Sequence, residues 1–291
     1  MEKDYEPDTK MQYFKKQMRK LFKNKMTLLG LILVLIVVIC GILAPVIAPY
    51  PKSITGKTDF THMHLAPSMQ HLFGTDEVGR DVLSRTLYGA RYSLIMGIVV
   101  LTFSTLIGVP LGLIAGYWGG KVDAVIMRIT DIFLAVPSII MAMAVSAILS
   151  PNLINTMIAV SFSWWPWIAR LVHAETIKVK NEEFVTASKG MGASKWRTAF
   201  FEILPNCTSI IIVKITTDMG FVILTGASLG FLGLGAQPPT PEWGNMVAEG
   251  RIYLPDKWWE SIFPGLAILI TVLGFNLLGD GLRDLLDVEN D

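Results

Sequence analysis

The sequence is poor in the residues from which many soluble enzymes build their sites. Only two of its 291 residues are cysteine and four are histidine, and Cys40 lies inside a long apolar run, so no disulfide framework or cysteine metal site is predicted. Charged residues make up 17% of the chain and the net charge is +1, which argues against a nucleic-acid-binding protein. The phosphate-loop pattern G-x-x-x-x-G-K-[ST] does not occur, so the chain cannot bind ATP by that route.

Long apolar segments, by contrast, are abundant. Hydrophobic residues make up 52% of the chain and the mean hydropathy is +0.50. A helix of about 20 apolar residues crosses a hydrocarbon layer of ~30 Å, and it pairs its backbone groups internally, as lipid requires. We therefore predict an all-α, polytopic membrane protein with six transmembrane helices, at Met26–Ile47, Leu94–Tyr117, Ile132–Ser150, Leu153–Leu171, Thr208–Leu234 and Ile262–Leu278.

Lysine and arginine are distributed unevenly over the predicted loops. Seventeen lie on the side that holds the N-terminus and seven on the other. Because positive residues favour the cytoplasmic side, we predict that both termini are cytoplasmic. The first apolar run follows about 25 mostly polar residues and is too long for a cleaved signal peptide.

These spans divide the chain into a basic cytoplasmic tail, residues 1–25, and a transmembrane domain, residues 26–291. The tail is expected to act as a topology anchor along the membrane surface. The predicted segments outside the membrane are an external segment at 50–92, a cytoplasmic loop at 173–207 and an external loop at 235–261.

The external segment carries a helix signal. Thr75 is a plausible N-cap, acidic residues follow it in the first turn, and apolar residues then recur at helical spacing. We predict an interfacial helix with Asp76, Arg80, Asp81 and Arg85, in which Asp81 pairs with Arg85 at i,i+4. It serves either packing at the interface or gating and the docking of an external partner.

Few charges lie at membrane depth. Lys214 and Asp218 are spaced i,i+4 in the fifth span, and Arg128 and Asp131 are spaced i,i+3 near the start of the third. Such residues either neutralise each other or line a substrate or ion path.

Glycines at small-xxx-small spacing also occur in the fifth span. Gly226 and Gly230 favour close helix packing or form a mobile kink, and they fall in the pattern G-x-S-x-G around Ser228. A serine nucleophile needs a base within hydrogen-bond reach, and no histidine lies in a span at that depth. His62 and His64 alone are weak evidence for a metal. We predict no catalytic residue, metal or cofactor, and hence no enzyme.

The cytoplasmic loop is too regular for a linker. A short helix is predicted at Phe184–Lys189, a break at Gly190 and Gly192, and a second helix at Ala193–Ile203 that Pro205 stops. Small residues would let the first helix seat in a groove of another protein. The alternative is a loop that packs only on its own spans.

This loop resembles the cytoplasmic "EAA" loop of ABC importer permeases, in which EAA is followed after three residues by G, after nine more by I, and after one more by LP. Aligned on Gly192, the sequence has Thr186-Ala187-Ser188 at EAA and Glu202 at the isoleucine. These departures are similar to the peptide/nickel branch, since "EFVTASKGMGAS…ILPN" resembles its version. The resemblance implies these ATPase-coupling residues: Glu183, Phe184, Ala187, Ser188, Gly190, Gly192, Ala193, Ser194, Leu204 and Pro205.

Further segments resemble the same branch, and the resemblance covers about Met26 to Asp287. They are similar to the C-type permease subunit of dipeptide, oligopeptide or nickel importers. The segments are "HLFGTDEVGRDVLSRTLYGARYSL", "GLIAGYWGGKVDAVIMRITDIFLAVPSI", "GFLGLGAQPPTPEWGNM" and "FPGLAILITVLGFNLLGDGLRDLLD".

The resemblance implies the type I ABC importer permease fold, in a bacterial or archaeal cell membrane. The implied partners are a homologous B-type permease that completes a heterodimer, two ABC ATPase subunits that use ATP and Mg, an external solute-binding protein and the lipid bilayer, with no nucleic acid. The expected activity is import of short peptides by alternating access, or alternatively of nickel or a metal chelate. A stand-alone ion-coupled carrier is a distant alternative, because intramembrane charges are sparse and no inverted repeat is visible.

Overall fold

The computed structural model describes residues 24–54 and 56–287, and within them every regular element is a helix. An isolated antiparallel bridge joins Thr75 to Asp81. The prediction of an all-α protein is confirmed. The predicted basic tail at 1–25 lies outside the described residues except for its last two positions.

The chain folds into nine helices over the described ranges, counting the helix that begins at Lys195 as one. They are α1 Lys25–Ile47, α2 Val82–Trp118, α3 Gly120–Leu134, α4 Ser138–Ile148, α5 Leu153–Lys180, α6 Glu183–Gly190, α7 Lys195–Phe231, α8 Trp243–Gly250 and α9 Trp259–Asp287. Short 3-10 turns at Pro51–Ile54, Phe60–His62 and Arg251–Tyr253 connect some of them.

Four of these helices, α1, α2, α7 and α9, are long and apolar enough to cross a membrane. The count is five if α3 and α4 together form one span. Helix α5 contains the predicted fourth span but is not among the four. Asn155, Pro166 and Arg170 interrupt its apolar sequence and lower its mean hydropathy.

The predicted third span is not a single helix. Helices α3 and α4 meet at a bend of 83° where Ile132–Ser150 was expected to run straight. Pro137 explains the break, because its ring disfavours the helical conformation for Val136 and it has no N–H to donate. The apolar sequence continues across Pro137, so hydropathy alone did not predict the break.

The predicted interfacial helix also begins later than expected. Helix α2 starts at Val82, where Asp81 is the N-cap and accepts a hydrogen bond from the Ser84 N–H at 2.8 Å. Residues 75–81 form a turn instead. Gly79 has φ +78°, and its backbone lies so close to the Asp59 carbonyl group that a Cβ would overlap it. From Val82 the helix runs without interruption for 37 residues, a length of about 55 Å.

Helices α2 and α5 pack closely against each other. Gly108, Gly112 and Gly116 form a stripe on α2 that lies against the backbone of α5. A Cβ on Gly108 would stand 2.7 Å from the Trp165 carbonyl oxygen. The spacing of four residues between these glycines is the same small-xxx-small packing signal that the sequence prediction took up only in the fifth span.

Candidate functional site

The loop predicted at 173–207 contains a separate short helix, α6, between the ends of α5 and α7. Glu183, Phe184, Ala187, Ser188 and Gly190 all lie on it. A tight turn follows, and the remaining predicted coupling residues lie in this turn or at the start of α7: Gly192, Ala193, Ser194, Leu204 and Pro205.

The turn after α6 depends on glycine at one position. Gly192 has φ +88°, a conformation that side chains with a Cβ rarely adopt, and the space around it is open. Ser194 then caps the next helix by accepting a hydrogen bond from the Arg197 N–H at 3.3 Å. The break predicted between the two helices therefore falls at 191–194.

Pro205 does not stop the second helix, contrary to the sequence prediction. Residues Thr198–Ile203 form a π-helical segment, and the chain then continues as α-helix to Phe231. In this segment the Leu204 N–H bonds to the Ala199 carbonyl group, five residues back. The wider register lets proline sit in the first turn after the segment, where a missing N–H is tolerated.

Helix α6 presents two contrasting faces. Val185 and Ser188 are buried against the body of the protein. Phe184 on the same helix is exposed, and beyond the helix Met191 is 83% exposed and Phe201 is 78% exposed. Large exposed apolar side chains on a loop outside the predicted spans suit an interaction surface.

The predicted pair in the fifth span is present. Lys214 Nζ lies 2.8 Å from Asp218 Oδ1, and Trp164 Nε1 on α5 donates to the other carboxylate oxygen at 2.9 Å. Asp218 is buried, whereas Lys214 is partly exposed and lines a cavity of about 360 Å³ between α5, α7 and α9. The hydrogen bond from Trp164 to Asp218 connects α5 to α7.

The second predicted pair has a different partner. Asp131 on α3 makes its salt bridge with Arg170 on α5, not with Arg128 three residues away. Sequence spacing identified the acid, but only the packing of α3 against α5 determines which cation reaches it.

Gly226 and Gly230 lie where α7 meets other elements. A Cβ at Gly226 would overlap the Met96 side chain of α2, and one at Gly230 would overlap the Glu242 carboxylate. Gly226 therefore faces a packed side chain, whereas a Cβ at Gly230 would also stand 3.2 Å from the Asn245 backbone nitrogen of α8.

The external residues singled out in the sequence form a buried polar cluster. Asp76 accepts from Arg80 Nε at 2.7 Å and lies 3.5 Å from Arg85 Nε. Both arginines reach Glu249 Oε2 of α8 at 3.3 Å. Burial raises the pKa of the Glu249 carboxyl, although both arginines oppose the rise.

The predicted Asp81–Arg85 pair is therefore wrong. Asp81 caps α2 and contacts His71 Nδ1 at 2.9 Å instead. Arg85 is 1% exposed, which does not fit a helix lying at an interface. The cluster ties the segment before α2 to α8, across more than 150 residues of sequence.

A further carboxyl group was not among the residues predicted from the sequence. Glu242 is buried at the start of α8, where it accepts hydrogen bonds from the N–H groups of Gly244 and Asn245, each at 2.9 Å. Burial nevertheless raises its pKa to about 7. Its place as the residue before a short helix was the available signal.

Comparison with known proteins agrees with this arrangement of helices. Residues 108–288 match the family described as binding-protein-dependent transport system inner membrane component, and residues 12–67 match the N-terminal transmembrane domain of oligopeptide transport permease C. The chain belongs to this family of transport permeases. The resemblance stated from the sequence is thereby confirmed, as is the placement in the inner membrane.

This permease is similar to several permeases of dipeptide and di/tripeptide transport systems. It is 45% identical over 269 residues to the dipeptide transport system permease protein DppC of Alkalihalophilus pseudofirmus, covering 92% of this chain and 88% of that protein. It is 47% identical over 272 residues to DppC of Escherichia coli, covering 91% and 89%. The di/tripeptide permease DppC of Pseudomonas aeruginosa is 45% identical, with coverage of 91% and 88%.

A solved structure supports the fold of the permease. The inward-facing MetNI methionine ABC transporter matches with a TM-score of 0.56 at 20% identity, covering 70% of this chain and 97% of the other. The prediction of a type I ABC importer permease fold is confirmed. The family assignment also makes the chain a transport component.

Proposed function

We propose that this permease moves short peptides into the cell as part of an ATP-driven importer. The observation that carries the proposal is the similarity, at 44–47% identity over about nine-tenths of the chain, to permeases named for dipeptide or di/tripeptide transport. Import of nickel or a metal chelate by the same machinery is the alternative to be tested.

The working complex contains a second, homologous B-type permease, two ATPase subunits and an external solute-binding protein. Two features support the need for separate ATPases. The chain lacks a phosphate-binding loop, and α6 with the following turn exposes Phe184, Met191 and Phe201 beside small residues. A short helix with such a surface suits a cleft in a partner protein.

Transport follows from movement of this helix. ATP-driven closure of the ATPase pair displaces α6, and the displacement reaches α7 through the chain that joins them. Because Asp218 of α7 binds Trp164 of α5, the two helices respond together. The permease pair then alternates between outward and inward openings, as each ligand state favours different contacts.

Reconstituted proteoliposomes test this function. The complete transporter with its binding protein should accumulate a labelled dipeptide only when ATP is supplied, and uptake should continue after an ionophore collapses the proton gradient. A stand-alone ion-coupled carrier would stop under the ionophore. Accumulation of labelled nickel in place of dipeptide would overturn the peptide assignment while leaving the ATP-driven mechanism in place.

A further inference from the structure

Two side chains at positions where the loop departs from the general EAA pattern bind each other. Ser188 Oγ donates a hydrogen bond to Glu202 Oε1 at 2.5 Å, across 14 residues of sequence. Ser188 is 9% exposed. The second carboxylate oxygen, Glu202 Oε2, is buried and has no donor among the described residues. Within that part of the chain, the Ser188 hydroxyl is the only hydrogen-bond donor to this carboxylate.

The remaining contacts of α6 with the body of the protein are less directional. Val185 lies in an apolar cluster with Ala199 and Ile203 of α7. Lys189 Nζ lies 5.3 Å from the centre of the Tyr117 ring at the end of α2. Apolar and cation–π contacts tolerate small rotations and sliding, whereas a short hydrogen bond to a carboxylate requires a defined direction. The Ser188–Glu202 bond therefore sets how α6 is rotated and positioned on α7.

Glu202 lies in the irregular first part of α7. It belongs to the π-helical segment Thr198–Ile203, which has a wider hydrogen-bond register than the α-helix after it. Four turns further along the same helix, Asp218 binds Trp164 of α5. A displacement of α6 at Ser188 is thus transmitted to α7 at a point before the long α-helical stretch that contains Asp218.

We propose that Ser188 and Glu202 are a positioning pair that makes α6 and the start of α7 move as one body. The pair does not touch the transported solute. It converts displacement of α6 into displacement of α7, and without it part of the movement is lost as sliding of α6. The proposal rests on the proposed docking of α6 on an ATPase subunit.

The test uses the complete reconstituted transporter and measures peptide imported per ATP hydrolysed. Ser188→Ala leaves the Glu202 carboxylate without its donor, and Glu202→Ile leaves the Ser188 hydroxyl without its acceptor. Each single change should lower the ratio about 3- to 10-fold, the size expected for the net contribution of one ordinary hydrogen bond.

The double variant Ser188→Ala/Glu202→Ile replaces the hydrogen bond by an apolar contact, as in the general pattern. It should return the ratio to within about 2-fold of the parent, because neither polar group is then left unpaired. Glu202→Gln keeps an acceptor and should resemble the parent. Thr208→Ala is the matched control, since its hydroxyl bonds only to a carbonyl group of its own helix.

The amount of ATPase that co-purifies separates this proposal from the proposed function. Single variants that keep their ATPases and lose coupling, with recovery in the double variant, support the pair. An unchanged ratio, additive losses in the double variant, or loss of bound ATPase in the single variants would each overturn it. Docking itself is tested by Phe184→Asp, a change at an exposed apolar side chain of α6, and full ATPase retention in that variant would refute docking whatever the pair does.

Discussion

Substituting one glycine in the α2–α5 contact tests how closely these two helices must pack. Gly108→Ala adds a Cβ 2.7 Å from the Trp165 carbonyl oxygen and 3.0 Å from the Ala169 backbone nitrogen. Both are backbone atoms, so no side-chain rotation can relieve the overlap and the helices must separate. Gly265→Ala on α9 is the matched control, because a Cβ there meets nothing within 4 Å.

The two substitutions share the same gain in helix propensity, about 1 kcal/mol for glycine to alanine. Overpacking a tight contact costs about 1–3 kcal/mol. We therefore expect Gly265→Ala to stabilise the permease slightly and Gly108→Ala to be less stable than Gly265→Ala by about 1–3 kcal/mol. The difference between the two isolates the steric cost.

Thermal unfolding of the purified permease in one detergent, with both variants prepared in parallel, measures this difference. Gly108→Ala should lower the Tm relative to Gly265→Ala, and it should also lower the amount of folded protein in the membrane. Equal Tm values for the two variants would refute the assignment of the α2–α5 contact as sterically full.

Three other predictions concern charge and backbone conformation. Lys214→Met leaves the buried Asp218 carboxylate with only the Trp164 donor and should destabilise the permease by about 3 kcal/mol. The double variant Lys214→Met/Asp218→Leu should lose less stability, and thermal unfolding of both variants measures the difference. The folded-state pKa of Glu242, about 7, lies above its ordinary value of 4.5. The free energy of unfolding should therefore fall as pH rises between these two values and level off above the higher one. Glu242→Gln should flatten the pH profile of stability, measured by unfolding at pH 5–8. Gly192→Trp forces a side chain into φ +88° on the exposed turn, and should insert normally yet lose co-purifying ATPase and uptake; normal values of both would show that this turn does not dock.

The sequence predicted elements well wherever one local signal dominated. Long apolar runs gave the spans of α1, α7 and α9, and the i,i+4 spacing gave the Lys214–Asp218 pair. It predicted poorly wherever a local signal competed with another. Pro137 breaks a continuous apolar run, whereas Pro205 was expected to stop a helix that a π-helical segment carries past it.

Partners distant in sequence were beyond the reach of spacing arguments. Arg85 was assigned to Asp81, four residues away, but it binds Asp76 and the far-off Glu249. Asp131 was assigned to Arg128 but contacts Arg170. A charged side chain binds the nearest opposite charge in three dimensions, and that choice depends on how the helices pack.

By itself, the sequence determined the class of this protein: an all-helical membrane permease, with an ordered loop between two spans. That information is local, because the hydropathy of a segment and the order of its motifs do not depend on distant residues. Only the tertiary structure decided which polar groups bind each other, from the external arginine cluster to Ser188 and Glu202 in the loop. Burial leaves such groups little water to bind, so each binds the partner that packing brings within reach.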